Sequence, residues 1–248
     1  MLFKYQPADR ILREIYAGIG KTVRSVEAKS VRKGEKQVIA VYSPWNHRLR
    51  TPFALTAAEQ LSAGKKVLYL NFSICNGFCK SMGLEPDVDM GDLFYLLRED
   101  EEALLAKLKS GIYPLGSYQI IPPPSNPEHY MEWRKGEVRH FLEILLEKTD
   151  FEVLVLDMGC VMNGFFEVLD LCGRIWILKE HWTSKDSGIE ELRELLEKFK
   201  AGLEERVEEV FLPGGQAWRE DGTIQVEEFY MGEVGNCVRR LLGGEYAS

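Results

Sequence analysis

Short, wholly apolar runs alternate with longer amphipathic segments along most of this 248-residue chain. The runs predict strands over residues 38–42, 67–70, 118–121, 153–156, 175–178 and 207–212. Apolar residues at helical spacing predict helices over residues 51–63, 90–109, 128–148, 165–171, 184–200 and 234–242. Strands that are apolar on both faces and alternate with helices are typical of a covered parallel sheet. We therefore expect an α/β fold with a mostly parallel central sheet and helices on both faces.

The first 36 residues differ from the rest of the chain. Residues 1–20 repeat isoleucine at four-residue spacing, which predicts a short helix, and residues 21–36 are polar and basic without periodicity. We therefore expect an N-terminal helix and basic linker over residues 1–36, followed by one α/β domain over residues 37–248.

The net charge of −8 is unevenly distributed. Residues 1–50 hold eleven Lys and Arg against four Asp and Glu, whereas the remaining residues hold twenty against thirty-five. The acidic body argues against nucleic acid as the main ligand. The basic head is expected to face the chain's own acidic body, although an acidic partner or an anionic membrane surface would also suit it.

Several other functional classes have little support in the sequence. No apolar run reaches the roughly 18 residues that a membrane-spanning helix needs. Five cysteines are scattered along the chain and form no disulfide framework, so a reduced, cytoplasmic setting is predicted. Cys75 and Cys79 lack a second Cys or His pair for zinc. No hydrolase triad is predicted either, because no Cys or Ser nucleophile pairs with the four histidines, His47, His129, His140 and His181.

The loop after the first predicted strand has the position of a phosphate-binding loop. Such a loop needs glycines, which let backbone N–H groups turn inward, and a Lys and a Ser or Thr that complete the cradle. Residues 43–51 read SPWNHRLRT, so glycine is absent, Arg50 replaces the Lys, and only Thr51 matches. Thr51 would also serve as a helix N-cap, with Pro52 at the first helical position. Pro52 has no N–H to offer a phosphate.

Positive charge around this loop leaves two interpretations open. His47, Arg48 and Arg50 could attract an anion to the N-terminus of the following helix. Alternatively, the segment is a solvated basic loop that only starts a helix.

Two further strand ends belong to the same expected site. Asp157 closes the strand over residues 153–156 at the position of a carboxylate that holds Mg²⁺, or it is simply a turn residue. Asn71, Phe72 and Ser73 stand where a carboxylate would position an attacking water. Because no carboxylate follows the second strand, hydrolysis would lack its expected base.

A glycine-containing stretch near the N-terminus has a sequence similar to the end of a phosphate-binding loop. Gly18–Thr22 reads GIGKT, but the first glycine of the full pattern would fall on Ile15, and the preceding segment predicts a helix instead of a strand. We therefore interpret these glycines as a helix C-cap.

Two apolar features allow more than one interpretation. Trp45, Trp176 and Trp182 lie near the same strand ends, where they would serve either a protein contact or the core. The last predicted helix, over residues 234–242, could lie on a membrane surface, but packing onto the domain is our expectation.

Three local sequences together resemble the deviant-Walker P-loop ATPases of the ParA/MinD class, a SIMIBI-type fold. They are VYSP and TPFAL within residues 41–55, VLYLNF at residues 67–72, and FEVLVLD at residues 151–157. The closest likeness is to the bacterial TadZ branch, which serves pilus localisation, and to related proteins of clostridia. The opening FKYQ and the C-terminal GEVG and VRRLL are similar to the clostridial set, in which the opening helix tends to follow a receiver-like domain. The glycines and signature lysines do not match, and Trp45 stands at the place of the deviant lysine.

The resemblance implies a protein that binds ATP and Mg²⁺ as a face-to-face dimer and uses that state to place machinery at a cell site. By position, Arg50 and Thr51 would contact phosphate, with Arg48 beside them, and Thr51 and Asp157 would hold Mg²⁺. No catalytic residue is assigned.

Three functions follow from this resemblance and its departures. The first is a ParA/MinD/TadZ-like protein with a degenerate nucleotide site, which acts through protein contacts as a spatial-positioning or assembly factor and not as an enzyme. Its protein partner is unidentified, and a homodimer is one candidate. The second is an active ATPase of the same class in which Arg50 replaces the Lys, a swap that is not conservative. The third is a small-molecule, ATP-dependent ligase or kinase on the same fold.

Overall fold

A computed structural model describes residues 36–45, 47–74, 77–179, 187–212, 223–224 and 226–243 of the chain. In this part of the chain the strands form one seven-stranded sheet in the order β3-β4-β2-β5-β1-β6-β7. The strands are β1 Gln37–Tyr42, β2 Val67–Phe72, β3 Tyr113–Leu115, β4 Tyr118–Ile121, β5 Val153–Met158, β6 Arg174–Lys179 and β7 Val207–Phe211. Only the β3–β4 pair is antiparallel; the other neighbouring pairs are parallel.

Helices follow or separate most of the strands. They are α1 Arg50–Ser62, α2 Phe78–Ser81, α3 Met90–Glu99, α4 Glu101–Gly111, α5 His129–Glu132, α6 Glu137–Lys148, α7 Phe165–Leu171, α8 Ser187–Phe199, α9 Val226–Met231 and α10 Glu233–Leu241. A single 3₁₀ turn, Glu204–Arg206, precedes β7.

Each central strand buries both of its faces. In β1, Val38 and Ala40 pack into one apolar cluster with side chains from α3, α6, α7 and α8. Ile39 and Val41 point the other way and pack into a second cluster with α1 and α10. Successive side chains of a strand point to opposite faces, so a strand covered on both sides is apolar throughout. The expected α/β fold, a mostly parallel sheet with helices on both faces, is therefore confirmed.

Two long helices predicted from the sequence are each divided. The predicted helix over residues 90–109 breaks at Asp100, whose extended backbone ends α3 and whose side chain accepts the Glu102 and Ala103 N–H groups to cap α4. The predicted helix over residues 128–148 breaks into α5 and α6, because Trp133 is extended and Gly136 has a φ of +87°. Apolar periodicity continues across both breaks and therefore did not reveal them.

The C-terminal helix α10 packs onto the domain, as expected. Its Val234, Cys237 and Val238 side chains are buried in the cluster that α1 shares. Gly235 lies so close to α9 that a Cβ built there would be 1.8 Å from the Tyr230 carbonyl oxygen. Gln60 of α1 donates its side-chain N–H to the Gly235 carbonyl oxygen at 2.9 Å. The apolar face of α10 is therefore occupied by α1 and α9.

Some expectations concern residues outside the described part of the chain. They include the helix over residues 1–20, most of the linker over 21–36, the Gly18–Thr22 stretch and Trp182. The domain boundary at residue 36 therefore stays a prediction. Among the described residues, no helix combines the length and apolar character that crossing a bilayer requires.

Candidate functional site

The expected site lies where three neighbouring strands end. β5 lies between β1 and β2, and all three strands run parallel. Asn71 of β2 is level with Asp157 of β5, and Tyr42 of β1 is level with Met158. The loops after these strands therefore share the carboxyl edge of the sheet, the usual place for a ligand in an open α/β sheet.

A buried ion pair occupies this edge. Asp157 is fully buried, and its Oδ1 accepts a hydrogen bond from Arg50 Nε at 2.5 Å. Thr51 Oγ1 donates to the other carboxylate oxygen, Oδ2, at 2.6 Å. Arg50 also donates from Nη2 to Ser73 Oγ at 2.8 Å. The first two residues of α1 are thus both bound to the carboxylate at the end of β5.

The neighbouring strand β2 contributes the remaining contacts of this carboxylate. Tyr69 donates its hydroxyl to Asp157 Oδ2 at 2.9 Å and accepts the Asn71 side-chain N–H at 2.9 Å. Burial and the Asp157 charge raise the pKa of Tyr69 well above its ordinary value, so the hydroxyl remains a donor at neutral pH. Asn71 Oδ1 accepts the Ser73 backbone N–H at 2.9 Å. We call these six residues the Arg50–Asp157 cluster: Arg50, Thr51, Tyr69, Asn71, Ser73 and Asp157.

In the loop before α1, backbone N–H groups donate hydrogen bonds within the loop itself. The Leu49 N–H donates to His47 Nδ1 at 3.1 Å, and the Arg50 N–H donates to the His47 carbonyl oxygen at 2.9 Å. The helix begins at Arg50, with Leu49 at the N-cap position and no side-chain cap. The expectation that Thr51 caps the helix is therefore wrong, because its hydroxyl donates to Asp157 from the second helical residue. Pro52 falls at the third helical residue, where the backbone N–H would have no partner within the helix.

Gly159, the residue that follows β5, packs tightly against the cluster. A Cβ built on Gly159 would lie 2.0 Å from Ser73 Oγ and 2.5 Å from Arg50 Nη2. Real Cβ atoms do not approach other atoms so closely, so a side chain at this position would displace Ser73 or Arg50. The Gly159 N–H donates to the Phe72 carbonyl oxygen at 2.9 Å, which joins the ends of β5 and β2.

The structure brings some of the predicted site residues together and leaves another apart from them. Arg50, Thr51 and Asp157 lie together and are buried, whereas Arg48 is exposed on the loop. Tyr69 and Gly159 belong to the site but were missed by sequence reasoning. In the sequence Tyr69 is one residue of an apolar strand, and the signal that could reveal it is a hydroxyl on the strand next to the one that ends at Asp157.

Two cysteine thiols, Cys79 and Cys160, lie in surroundings that make them unreactive. Burial raises the pKa of the Cys160 thiol to about 11, although the nearby Arg50 charge lowers it somewhat. Burial also raises the pKa of Cys79, and Asp89 adds to that effect. Both thiols are therefore protonated at neutral pH. Within the described part of the chain, no group of three or more His, Cys, Asp or Glu side chains is placed to hold a metal ion.

The tryptophans divide between the two interpretations offered by the sequence. Trp176 is fully buried in β6 and packs edge-to-face on Phe53 of α1, with ring centroids 5.7 Å apart. Trp45 is 53% exposed on the loop after β1. The loops after β2 and β5 also expose an apolar side chain each, Ile74 at 46% and Val161 at 70%.

Comparison with solved structures identifies the fold. No protein-family model and no curated protein matches the sequence. A ParA family ATPase from Chlorobium tepidum superimposes with a TM-score of 0.56 at 17% identity, over 84% of this chain and 81% of that one. A plasmid partition protein from Borrelia burgdorferi gives a TM-score of 0.55 at 13% identity, over 85% and 99% of the two chains. Cobyrinic acid a,c-diamide synthase from Mycobacterium smegmatis, with a bound ATP analogue and magnesium, gives 0.55 at 15% identity, over 85% and 98%. The chain therefore has the α/β fold of the ParA/MinD-type P-loop ATPases.

Proposed function

We propose that this protein is a ParA/MinD/TadZ-like positioning or assembly factor whose nucleotide site is degenerate and which acts through protein contacts. One observation carries the proposal. The Arg50 side chain, which would meet a phosphate in a working loop, is instead bound to Asp157, the carboxylate that would hold Mg²⁺.

The donor set at Asp157 does not fit a magnesium ion. Mg²⁺ requires oxygen ligands in octahedral geometry at about 2.0–2.1 Å. Here the carboxylate oxygens accept hydrogen bonds from Arg50, Thr51 and Tyr69, so a guanidinium already supplies the positive charge. Admitting Mg²⁺ would require breaking a buried ion pair, and breaking such a pair costs roughly 3–5 kcal/mol when one partner is lost.

The loop before α1 does not fit a triphosphate either. A phosphate cradle presents inward-facing backbone N–H groups, but the N–H groups of Leu49 and Arg50 are already donated to His47. Pro52 has no N–H to add. The loop after β2 contributes Asn71 and Ser73 in place of a carboxylate, and both are hydrogen-bonded within the cluster. These contacts favour a structural role for the site over nucleotide binding and hydrolysis.

Exposed apolar residues at the same edge support a role through protein contacts. The side chains of Trp45, Ile74 and Val161 project into solvent from the three loops that surround the closed cluster. Solvent-exposed apolar groups that gather in one place mark interaction surfaces more often than isolated ones do. A cytoplasmic location and dimerisation are part of the same proposal.

Thermal unfolding with and without ATP and Mg²⁺ tests the proposal. A ligand at 100 times its Kd stabilises a protein by about 2.7 kcal/mol, so bound ATP would raise the Tm measurably. We expect no shift at millimolar ATP with excess Mg²⁺, and the same result with ADP. The matched variant is Arg50→Lys, which restores the residue type of a working loop. A saturable rise in Tm for the native chain, together with ATP hydrolysis that Arg50→Lys changes, would support the active ATPase instead.

A further inference from the structure

The three loops at the carboxyl edge of β1, β2 and β5 have an unusual composition. They cover residues 43–49, 73–77 and 159–164 and read SPWNHRL, SICNG and GCVMNG. Asp and Glu make up 39 of the 248 residues, yet none occurs in these loops. Arg48 and His47 are the only basic side chains in these loops, and Cys75 and Cys160 are the only thiols. We call four exposed residues of these loops the apolar rim: Trp45, Arg48, Ile74 and Val161. Gly77 and Asn163 are the other exposed residues among those that the structure describes there.

The apolar rim combines exposed apolar area with one available cation. Val161 is 70% exposed on the central loop, and Trp45 and Ile74 stand on the loops to either side. Arg48 is exposed, and none of the described residues forms an ion pair with it. The Arg50 charge beneath the rim is neutralised by Asp157. Where the structure describes these three loops, their exposed surface is therefore largely apolar and weakly positive, on a protein whose net charge is −8.

We infer that the apolar rim binds a partner segment that carries apolar side chains flanked by Asp or Glu. Electrostatic complementarity selects partners of opposite charge and disfavours like charges across an interface. A second copy of this chain fits the rim less well, because a two-fold contact brings the same patch of both copies together and would place one Arg48 against the other. The homodimer of the proposed function would then use another face of the chain. The inference rests on the proposed function, since it names the chemistry of the protein contact made at that site.

Defined peptides separate a local preference from a general charge effect. Three fluorescent peptides of about twelve residues are compared with the full-length protein. One alternates Glu with Leu, one alternates Lys with Leu, and one alternates Glu with Ser. The net charge of −8 by itself would favour the Lys peptide. We expect the Glu–Leu peptide to bind most tightly, by about tenfold over each of the others, as measured by fluorescence anisotropy.

Two matched variants locate the binding surface. Val161→Glu adds a carboxylate to the rim, and Met231→Glu adds one on α9, where Met231 is 76% exposed. Both variants carry the same net charge. Val161→Glu should weaken Glu–Leu binding by about tenfold, as expected for a central interface residue, whereas Met231→Glu should leave it unchanged. Arg48→Glu should shift the preference toward the Lys–Leu peptide.

Several results would overturn the inference. Tighter binding of the Lys–Leu peptide by the native chain would do so, as would an equal loss in the two glutamate variants. Sedimentation that shows a dimer abolished by Val161→Glu would assign the rim to a second copy. None of these results depends on ATP, so a Tm shift with ATP would reject the degenerate site while leaving the peptide result to be judged separately.

Discussion

Two arginine–carboxylate pairs in this protein both make short contacts, but their surroundings differ. Arg50 meets Asp157 at 2.5 Å with side-chain exposures of 7% and 0%. Arg98 of α3 meets Glu137 of α6 at 2.9 Å with exposures of 25% and 16%. The second pair is bidentate, since Arg98 Nε and Nη2 bind separate oxygens of Glu137. Good geometry alone therefore does not distinguish the pairs, and the difference lies in desolvation.

That difference is the reason the proposed function rests on the buried pair. A buried charge must be compensated, because removing one partner leaves the other in a poorly solvating environment. Asp157 obtains its compensation from Arg50, which is why we propose that no metal ion binds there. Arg98 and Glu137 remain partly hydrated and join two helices without deciding what the protein can bind.

The largest expected effect is at the buried pair. Arg50→Met keeps an unbranched side chain about as long as the aliphatic part of the arginine and removes the guanidinium, so Asp157 is left buried without a counter-charge. We expect a loss of about 3–5 kcal/mol in the free energy of unfolding, measured by urea denaturation. Adding Asp157→Asn to this variant should restore much of the loss, because the uncompensated charge is then gone. A loss below about 1 kcal/mol for Arg50→Met would contradict the role given to the pair.

The next largest loss in the free energy of unfolding is expected at Thr51. Thr51→Val preserves the shape of the side chain and removes its hydrogen bond to Asp157 Oδ2. A hydrogen bond to a charged group is worth about 1.5–3 kcal/mol, and we expect a loss in that range by the same method. Thr56→Val on the same helix is the control, because the Thr56 hydroxyl donates to the Pro52 carbonyl oxygen and not to a charge. If both variants lose the same amount, the carboxylate contact at Thr51 has no special weight.

A slightly smaller effect is expected at the glycine that closes the cluster. A methyl group on Gly159 would collide with Ser73 Oγ and Arg50 Nη2, and overpacking of this kind costs about 1–3 kcal/mol. Gly173 serves as the matched control, because a Cβ there would meet its nearest atoms at 3.9 Å. Gly173→Ala should change stability by less than about 0.5 kcal/mol. Equal Tm values for Gly159→Ala and the native chain would show that the cluster is looser than described.

The smallest loss of stability is expected at the partly exposed pair of Arg98 and Glu137, and its size should depend on pH. Partial burial acts to raise the pKa of Glu137, but hydrogen bonds from Arg98 and from the Arg134 N–H outweigh it and hold the pKa below its ordinary value. Because the folded-state pKa is depressed, Glu137 stabilises the fold above its unfolded pKa of about 4.3, and that contribution disappears as pH falls through the lower folded value. Arg98→Gln should cost less than about 1 kcal/mol at pH 7.

The pH profile of this variant is the informative readout. The difference in stability between Arg98→Gln and the native chain should shrink as the pH is lowered through the acidic range in which Glu137 titrates. A difference that stays constant down to acidic pH would mean that Arg98 acts through packing, or through its bond to the Glu132 carbonyl oxygen, and not through Glu137.

The sequence predicted which strand ends meet better than which side chains contact one another there. Apolar runs located the strands, and the parallel order brings Thr51 and Asp157 to one edge. The direction of the Arg50 side chain could not be predicted, because it depends on α1 beginning at Arg50 and not after Thr51. A shift of one residue rotates a helical side chain by about 100°. Tyr69 was hidden for another reason, since a tyrosine in a buried strand resembles an apolar residue until its hydroxyl finds a partner.

The central claim is that the Arg50–Asp157 cluster is complete without nucleotide and metal. Fluorescence anisotropy of a ribose-labelled ATP, titrated with the full-length protein in millimolar Mg²⁺, tests this claim most directly. We predict a titration that stays flat to the highest soluble protein concentration, as it should also be for Asp157→Asn. A saturable rise in anisotropy that excess unlabelled ATP reverses and Asp157→Asn abolishes would contradict the account.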